Sequence, residues 1–339
     1  MAISIGGAPG TGSSLLRQML NRHPQIYCGP ETNLFAFPVL FTDWRRYRAR
    51  LTQNWRPTGG RLIAPTIRLV LGTRLAGREQ TWAAPQIKEL AARSETFKDF
   101  CDTYFAQPCA VYGKQVWAEK TPANVLTFQQ FLRTWGNGVV VHMTRTPADT
   151  IVSLLDRGTP LFEAAARYLF NCAHALKAAN DRRWVSVRYE DLVTDPEQAL
   201  SQLLGRLDLT YGKKMTMAGN PAMEETDQLE GWRYRETEPP QTGSLNRYEQ
   251  TADDVRLSVA WAIRQVRITD AFAQQNGLTH HSISDCANEM GYQLPDLPPS
   301  GREEVADLLS RQEKAYRRRR LMRNSWWYER NKPLAISDL

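Results

Sequence analysis

The chain is short of the groups that metal and disulfide chemistry need. Its 339 residues include five cysteines, Cys28, Cys101, Cys109, Cys172 and Cys286. The number is odd and the spacings are not those of metal ligands, which argues against a disulfide framework and predicts reduced thiols. No apolar run approaches the ~20 residues that cross a bilayer, and there is no room for a signal peptide before the first apolar stretch. A soluble, cytoplasmic protein is the expectation. No internal repeat is visible. The glycine-rich stretch near the start also lacks something. A nucleotide-hydrolysing loop reads G-x-x-x-x-G-K-[ST]; Gly7 and Gly12 have that spacing, but the lysine position holds Ser13, followed by Ser14. The missing cation argues against ATP or GTP chemistry.

What is present is an ordinary globular balance, 42% hydrophobic and 23% charged residues, in a length that fits one large domain with an extension or two small ones. The net charge of +7 is unevenly spread. Residues 311–332 carry nine Lys and Arg against two acids, and residues 42–110 carry twelve against six, so the remainder is net acidic. Arg317 to Arg320 and Arg323, with Trp326, Trp327 and Tyr328 behind them, suit either an anionic surface or a solvated helix face whose aromatics dock on the domain.

Residues 3–23 read as a buried strand, a glycine-rich turn and a helix with Leu15, Leu16, Met19 and Leu20 at helical spacing. Unpaired N–H groups and the dipole at a helix start bind anions, so this is a phosphate- or sulfate-holding loop. Further strands are expected at 115–120, at 138–143 and at 184–188, the last ending in Tyr189-Glu190-Asp191. Helices are expected at 124–135, from about Pro147, at 162–180, at 196–207 and at about 254–275. Residues 42–110 read as helical and loop-like, with no clear strand alternation. Strands alternating with helices predict an α/β three-layer sandwich, a central mostly parallel sheet with helices on both faces. Ligands bind such sheets beyond the carboxyl ends of the strands. Pro295, Pro298 and Pro299 mark a boundary before the basic tail.

Three constellations fall at strand ends. Arg145 follows one strand directly and Ser153 lies eight residues on, two turns into the next helix; a guanidinium fork and a hydroxyl together suit a phosphate. Arg145 has a second possible partner in Asp149. Glu119-Lys120-Thr121-Pro122-Ala123-Asn124 places a cation at a neighbouring strand tip, unless Lys120 is a surface lysine or pairs with Glu119. The run from Val187 to Glu197 is a third strand leading into a helix.

Taken in order, these segments resemble the sulfotransferases that use 3′-phosphoadenosine 5′-phosphosulfate (PAPS). The donor loop of that family, P-[RK]-S-G-T-[ST]-L-L followed by a helix and H-P, is similar to Pro9-Gly-Thr-Gly-Ser-Ser-Leu-Leu16 and His23-Pro24. The segments E-K-T-P-x-N at 119–124, Arg145 with Ser153, and Y-E-D-L-V-x-D-P-E at 189–197 match in turn. Ser244 and Arg247 are similar to the family's later serine and basic residue near the 3′-phosphate. The resemblance runs from residue 1 to about 275 and is strongest to the protein-tyrosine and bacterial branch, where C-G-x-E-T carries the catalytic base. Here that motif is Cys28-Gly-Pro-Glu31-Thr32.

The resemblance implies a P-loop-like sulfotransferase fold over residues 1–280, with 42–110 as an arginine-rich acceptor-side insertion and 281–339 as an extension. It implies transfer of a sulfuryl group from PAPS to an acceptor hydroxyl on a glycan, peptide tyrosine, lipid or small metabolite, an acidic one suiting the arginines. Adenosine 3′,5′-bisphosphate (PAP) is the product, and neither metal nor nucleic acid is implied. It makes Glu31 the base and Lys120 the charge stabiliser. The donor is held by Gly10, Thr11, Gly12, Ser13, Ser14, Leu15, Arg145, Ser153, Arg157, Tyr189, Ser244 and Arg247. Tyr189 reads equally as a ring beside the nucleotide or a core residue, Glu31 as a base or a capping acid, and His23 as structural. One departure stands out: Gly10 occupies the position of the family's loop Arg or Lys, which Lys120 would have to replace. A non-catalytic nucleotide-binding protein would tolerate Gly10, and a P-loop kinase-like enzyme would need the cation that Ser13 does not supply.

Overall fold

Residues Ala2–Gly7 form β1, with all six residues buried. In the computed structural model, which describes residues 1–53, 84–216 and 242–297 and the short strands Arg56–Thr58, Arg61–Ile63, Val70–Leu71 and Leu334–Ile336, β1 is the middle of a five-stranded parallel sheet. After β1 come α1 (Ser13–Asn21) and β2 (Ile26–Cys28), then α2 (Pro38–Thr42), α3 (Trp44–Gln53), β3 (Arg56–Thr58), β4 (Arg61–Ile63), β5 (Val70–Leu71), α4 (Ala84–Arg93) and α5 (Phe97–Tyr112). They are followed by β6 (Val116–Lys120), α6 (Phe128–Thr134), β7 (Val139–Thr144), α7 (Pro147–Leu155), α8 (Leu161–Leu176), β8 (Trp184–Arg188), α9 (Tyr189–Thr194) and α10 (Pro196–Gly205).

The strand order is β2-β6-β1-β7-β8. Ile5 pairs with Lys120 on one side, and Gly7 with Met143 on the other. The carboxyl ends of β6, β1 and β7 therefore lie side by side, with β1 the strand whose two flanks are filled by later segments. That is the position where open α/β sheets bind ligands.

Strand alternation sorts the sheet's side chains into two layers. Ile3, Ile5, Val139, Val141 and Met143 face α1 and α10, packing on Leu16, Met19, Leu20, Leu200 and Leu203. Ala2, Trp117 and Val140 face the opposite way, toward the aromatic cluster of Phe35, Phe97, Phe105, Phe131 and Trp135. On α8, Tyr168, Leu169 and Cys172 join Val259 and Ile263 of the helix Asp253–Gln265 and Ile283 and Cys286 of the helix Ile283–Glu289 in a third cluster. Helices thus cover both faces, as the alternation of elements predicts. Among the described residues no helix is long and apolar enough to cross a membrane.

Several local expectations are corrected. The 42–110 segment does contain strands: β3, β4 and β5 form a small antiparallel sheet, each too short for a period of two to register. The single helix expected at 254–275 is two, Asp253–Gln265 and Asp270–Asn276, separated by β9 (Val266–Ile268), which pairs antiparallel with β10 (Leu334–Ile336). A partner so far along the chain leaves no local sign. The helix expected at 124–135 begins as a 3-10 turn, Pro122–Thr127, before α6. Tyr189, Glu190 and Asp191 open α9 rather than extend β8. Pro298, Pro299 and the basic run 311–332 lie outside the described residues.

His142, on β7, is fully buried beside Trp184, with ring centroids 5.8 Å apart. Neither of its ring nitrogens has a hydrogen-bond partner among the described residues. Burial lowers its pKa to about 3, so the fold accepts only the neutral ring. The unfolded chain takes up a proton near the usual value of 6.5, so this contribution is complete above about pH 6.5 and falls away as the pH drops toward about 3. Stability measured by urea unfolding is expected to drop by about 1.4 kcal/mol per pH unit through this group in that window. His142→Phe is expected to flatten the slope; an unchanged slope would assign it to other groups.

Candidate active site

β1 ends at Gly7, and the chain turns through residues 8–12 into α1. Gly10 and Gly12 have φ of +97° and +87°, a left-handed conformation that side chains resist. Gly12 is doubly constrained, because a Cβ there would stand 2.3 Å from Cδ2 of Tyr189. Gly10 lies against α7, its Cβ direction 3.5 Å from the Ser153 hydroxyl. The turn at this position suits glycine, and the family's loop cation would be strained here.

The loop residues divide into those with spare donors and those without. Thr11 donates both its hydroxyl (2.8 Å) and its N–H (3.3 Å) to the Ala8 carbonyl. Leu15 donates its N–H to Gly12 at 3.0 Å and buries its side chain in the core. No side chain caps α1, so the N–H groups of Ser13 and Ser14 have no partner among the described residues. These are the donors that a helix start offers an anion.

Glu119 and Lys120, consecutive on β6, point to opposite faces of the sheet. The Lys120 side chain is 2% exposed and its ammonium donates to the Ser14 hydroxyl at 3.1 Å. It also forms an ion pair with Glu31. The two residues assigned to the reaction by resemblance are therefore in contact, and Ser14, at the start of α1, touches Lys120. Glu119 does not pair with Lys120, contrary to one of the readings above. It accepts instead from Thr32 N–H (2.8 Å), the Thr32 hydroxyl (2.8 Å), the Thr121 hydroxyl (2.7 Å) and Asn124 Nδ2 (2.5 Å). Burial raises the Glu119 pKa, and these four donors oppose the rise.

Glu31 itself sits between two anchors. Cys28 is the last residue of β2 to pair with β6, opposite Ala118. Phe35 is fully buried among Trp117, Phe131 and Trp135, with ring centroids 5.3–5.9 Å away. Burial pushes the Cys28 thiol up to about 12, so it packs as a small apolar group and supplies no nucleophile. Among the described residues all five cysteines are free and buried.

Arg145 emerges from the end of β7. Its Nη1 donates to the Gly10 carbonyl (3.2 Å), and its Nη2 donates to Asp149 (3.4 Å) and to the Ser244 carbonyl. Its guanidinium lies 4.6 Å from the centre of the Tyr189 ring. Of the two sequence readings of Arg145, the pairing with Asp149 is present; its Nε is buried without a partner among the described residues. An arginine has five N–H donors, so a bound anion could still be met by Nε and by the second Nη1 hydrogen. Arg157 Nη2 donates to the Ser153 hydroxyl at 3.4 Å. Desolvation lowers the Arg157 pKa, and the charges of Arg247 and Arg145 lower it further. Arg247 is held by Asp156 at 2.7 Å. Three guanidinium groups thus share one strand end, with Asp149 and Asp156 as the carboxylates beside them.

The structure thus gathers Gly10, Gly12, Ser13, Ser14, Glu31, Lys120, Arg145, Ser153, Arg157, Tyr189, Ser244 and Arg247 at adjacent strand ends. Thr11 and Leu15 are there too, with their donors already engaged. Tyr189 is 4% exposed, a core residue whose ring also covers Gly12 and Arg145. His23 is structural, accepting from Gln25 N–H at Nδ1 (3.1 Å) and reaching the Thr210 carbonyl with Nε2 (3.0 Å). Sequence reasoning missed three supports. Asp149 also accepts from Tyr248 N–H at 2.9 Å, which draws the Ser244–Arg247 segment in. Tyr292 donates to Glu190 at 2.9 Å, while Glu190 accepts from Thr146 N–H behind Arg145. Glu119 was the one with a readable sign: neighbours on a strand face opposite ways. Among the described residues no group of three or more His, Cys, Asp or Glu is placed to hold a metal ion.

Comparisons with known proteins bear on the family and the fold. The profile described as Sulfotransferase family matches residues 2–213. A Caenorhabditis briggsae protein provisionally assigned as a protein-tyrosine sulfotransferase is 22% identical over 230 residues, 63% of this chain and 67% of that one. Among solved structures, the sulfotransferase domain from the Synechococcus PCC 7002 olefin synthase aligns with a TM-score of 0.54 at 17% identity, over 87% of this chain and 95% of the other. That likeness is one of fold.

Proposed function

This chain belongs to the sulfotransferase family, and on that premise we propose that it transfers a sulfuryl group from PAPS to an acceptor hydroxyl with Glu31 as the base. The observation that carries the reading is the Glu31–Lys120 ion pair set against the uncapped start of α1, with the Arg145–Arg157–Arg247 cluster at the next strand end. Bound there, PAPS supplies the electrophilic sulfur and a nucleotide leaving group.

The chain's own residues divide the work. The Ser13 and Ser14 N–H groups bind anionic oxygens at the loop. Arg145, Ser153, Arg157, Ser244 and Arg247 hold the 3′-phosphate, and Tyr189 lies along the nucleotide. Glu31 takes the proton of the acceptor hydroxyl as its oxygen becomes nucleophilic. As that carboxylate is protonated, its hold on Lys120 weakens. The ammonium is then free to balance negative charge developing beside Ser14, the task that Gly10 cannot perform. Positioning and charge stabilisation do most of the work in such transfers. The acceptor side is built from the arginine-rich segment that follows the Glu31 loop, where Arg45 and Arg46 are exposed on α3; this suits an acidic glycan or peptide.

The test is turnover of radiolabelled PAPS with a panel of phenolic, glycan and peptide acceptors, by wild type and by Lys120→Met. The variant keeps the buried stem without the charge. It is expected to lose about 10²–10³ in kcat, as for removal of one preorganised donor, with PAP affinity unchanged. Wild-type kcat in the variant would remove Lys120 from the mechanism.

A further inference from the structure

We infer that Glu119 is a positioning residue for the reaction, pinning Thr32 from the far face of the sheet and so holding Glu31 against Lys120. The inference rests on the reading of Glu31 as the base. The β2–β6 ladder stops at Cys28 opposite Ala118. Beyond it, among the described residues, no backbone–backbone hydrogen bond ties residues 29–33 to the sheet. Side chains at the end of β6 do so instead, one after another. Lys120 holds Glu31, Glu119 takes both the N–H and the hydroxyl of Thr32, and the Thr121 hydroxyl accepts from Asn33 N–H at 3.2 Å. Because Glu119 and Lys120 face opposite ways, successive loop residues are gripped from opposite sides of the sheet.

The grip is anchored in the middle strand. Asn124 Nδ2 donates to Glu119 Oε2 and also to the Ile5 carbonyl of β1, at 3.0 Å. A rigid path therefore runs from β1, the strand that leads into the anion-binding loop, through Asn124 and Glu119 to Thr32 and its neighbour Glu31. The chemistry of the pin is specific. Glu119 is 1% exposed and forms no ion pair among the described residues, yet all four groups around it are donors. A carboxylate, with two oxygens that only accept, satisfies all four at once. Glutamine has the same shape but would turn an NH₂ toward Asn124 Nδ2 or toward the three donors that share Oε1, so the set of contacts is lost as it stands.

Glu119→Gln should leave PAP affinity at the wild-type value and lower kcat by about 10–100-fold, the scale of a displacement of ~1 Å at a reacting group. Placed on Glu31→Gln it should lower kcat no further, since it acts through that residue. Thr32→Ser, which keeps both donors, should retain turnover, and Thr32→Val should lose it as Glu119→Gln does. Multiplicative loss in the Glu31→Gln background, or wild-type kcat in Glu119→Gln, would overturn the role. Amide hydrogen exchange over residues 29–34 separates the inference from the reading beneath it. Exchange there should quicken in Glu119→Gln and in Thr32→Val while α1 stays protected, whatever Glu31 does in turnover. Unchanged exchange in both variants would overturn the pin even if Glu31 proves to be the base. Wild-type kcat in Glu31→Gln, with quickened exchange in the other two, would leave the pin standing and remove the base.

Discussion

Arg145→Ala is expected to abolish detectable binding of PAP in calorimetry. Arginine brings charge-assisted hydrogen bonds worth about 1.5–3 kcal/mol each, and two are still open on this side chain. Losing both weakens binding by about 100-fold or more. The effect is larger than the contacts alone imply, because Arg145 also joins the Gly10 turn, α7 and the Ser244 segment. Truncation leaves Asp149, 4% exposed, as a buried carboxylate without its cation, and breaking a pair of this type costs about 3–5 kcal/mol. Arg145→Lys serves as the control. It keeps a cation beside Asp149 and loses the fork, so it should fold like wild type and bind PAP about 10-fold more weakly. A folded Arg145→Ala protein that binds PAP as wild type does would move the donor site elsewhere.

Glu31→Gln is expected to lower kcat by about 10²–10⁴, the usual contribution of a positioned general base. PAP binding should not change, since the ion pair of Glu31 is with Lys120 and the proposed 3′-phosphate ligands do not include it. Glutamine retains an oxygen that can accept from the Lys120 ammonium, so the buried lysine is not left without a partner. A loss confined to KM would instead assign Glu31 to acceptor binding. The Gly10 position bears on the same question. Its left-handed backbone suits glycine, so the substitution of glycine for the family's cation is matched by the local turn, and the proposed mechanism assigns that charge to Lys120.

Much of this was legible in the residues. The apolar run at 139–143, the strand expected at 184–188, the glycines at the first turn and the strand-end placement of Lys120 and Arg145 all point to a parallel sheet with an anion site expected at its carboxyl edge. The gaps are equally particular. Val266–Ile268 looked helical because its strand partner is far away at Leu334–Ile336. Tyr292 carries no motif, yet it docks on Glu190, 102 residues earlier. Arg145 was readable as a phosphate ligand or as the partner of Asp149, and packing gives it the second role while leaving donors for the first.

What the amino-acid order determined by itself is local: where the backbone must turn left-handed, which runs are apolar enough to be central strands, where helices begin, and which chemistry-bearing residues stand at strand ends. These follow from φ preferences and from periods of two and 3.6 residues, which each segment carries without reference to the others. Only the tertiary structure decided which residues meet. Glu31 reaches Lys120 across 89 positions, and Glu119 turns from its neighbour to grip Thr32. Tyr248 closes on Asp149 from 99 positions away. Such pairings depend on strand order and on the face each strand presents, which are settled by burying all the apolar faces at once, so no single segment encodes them.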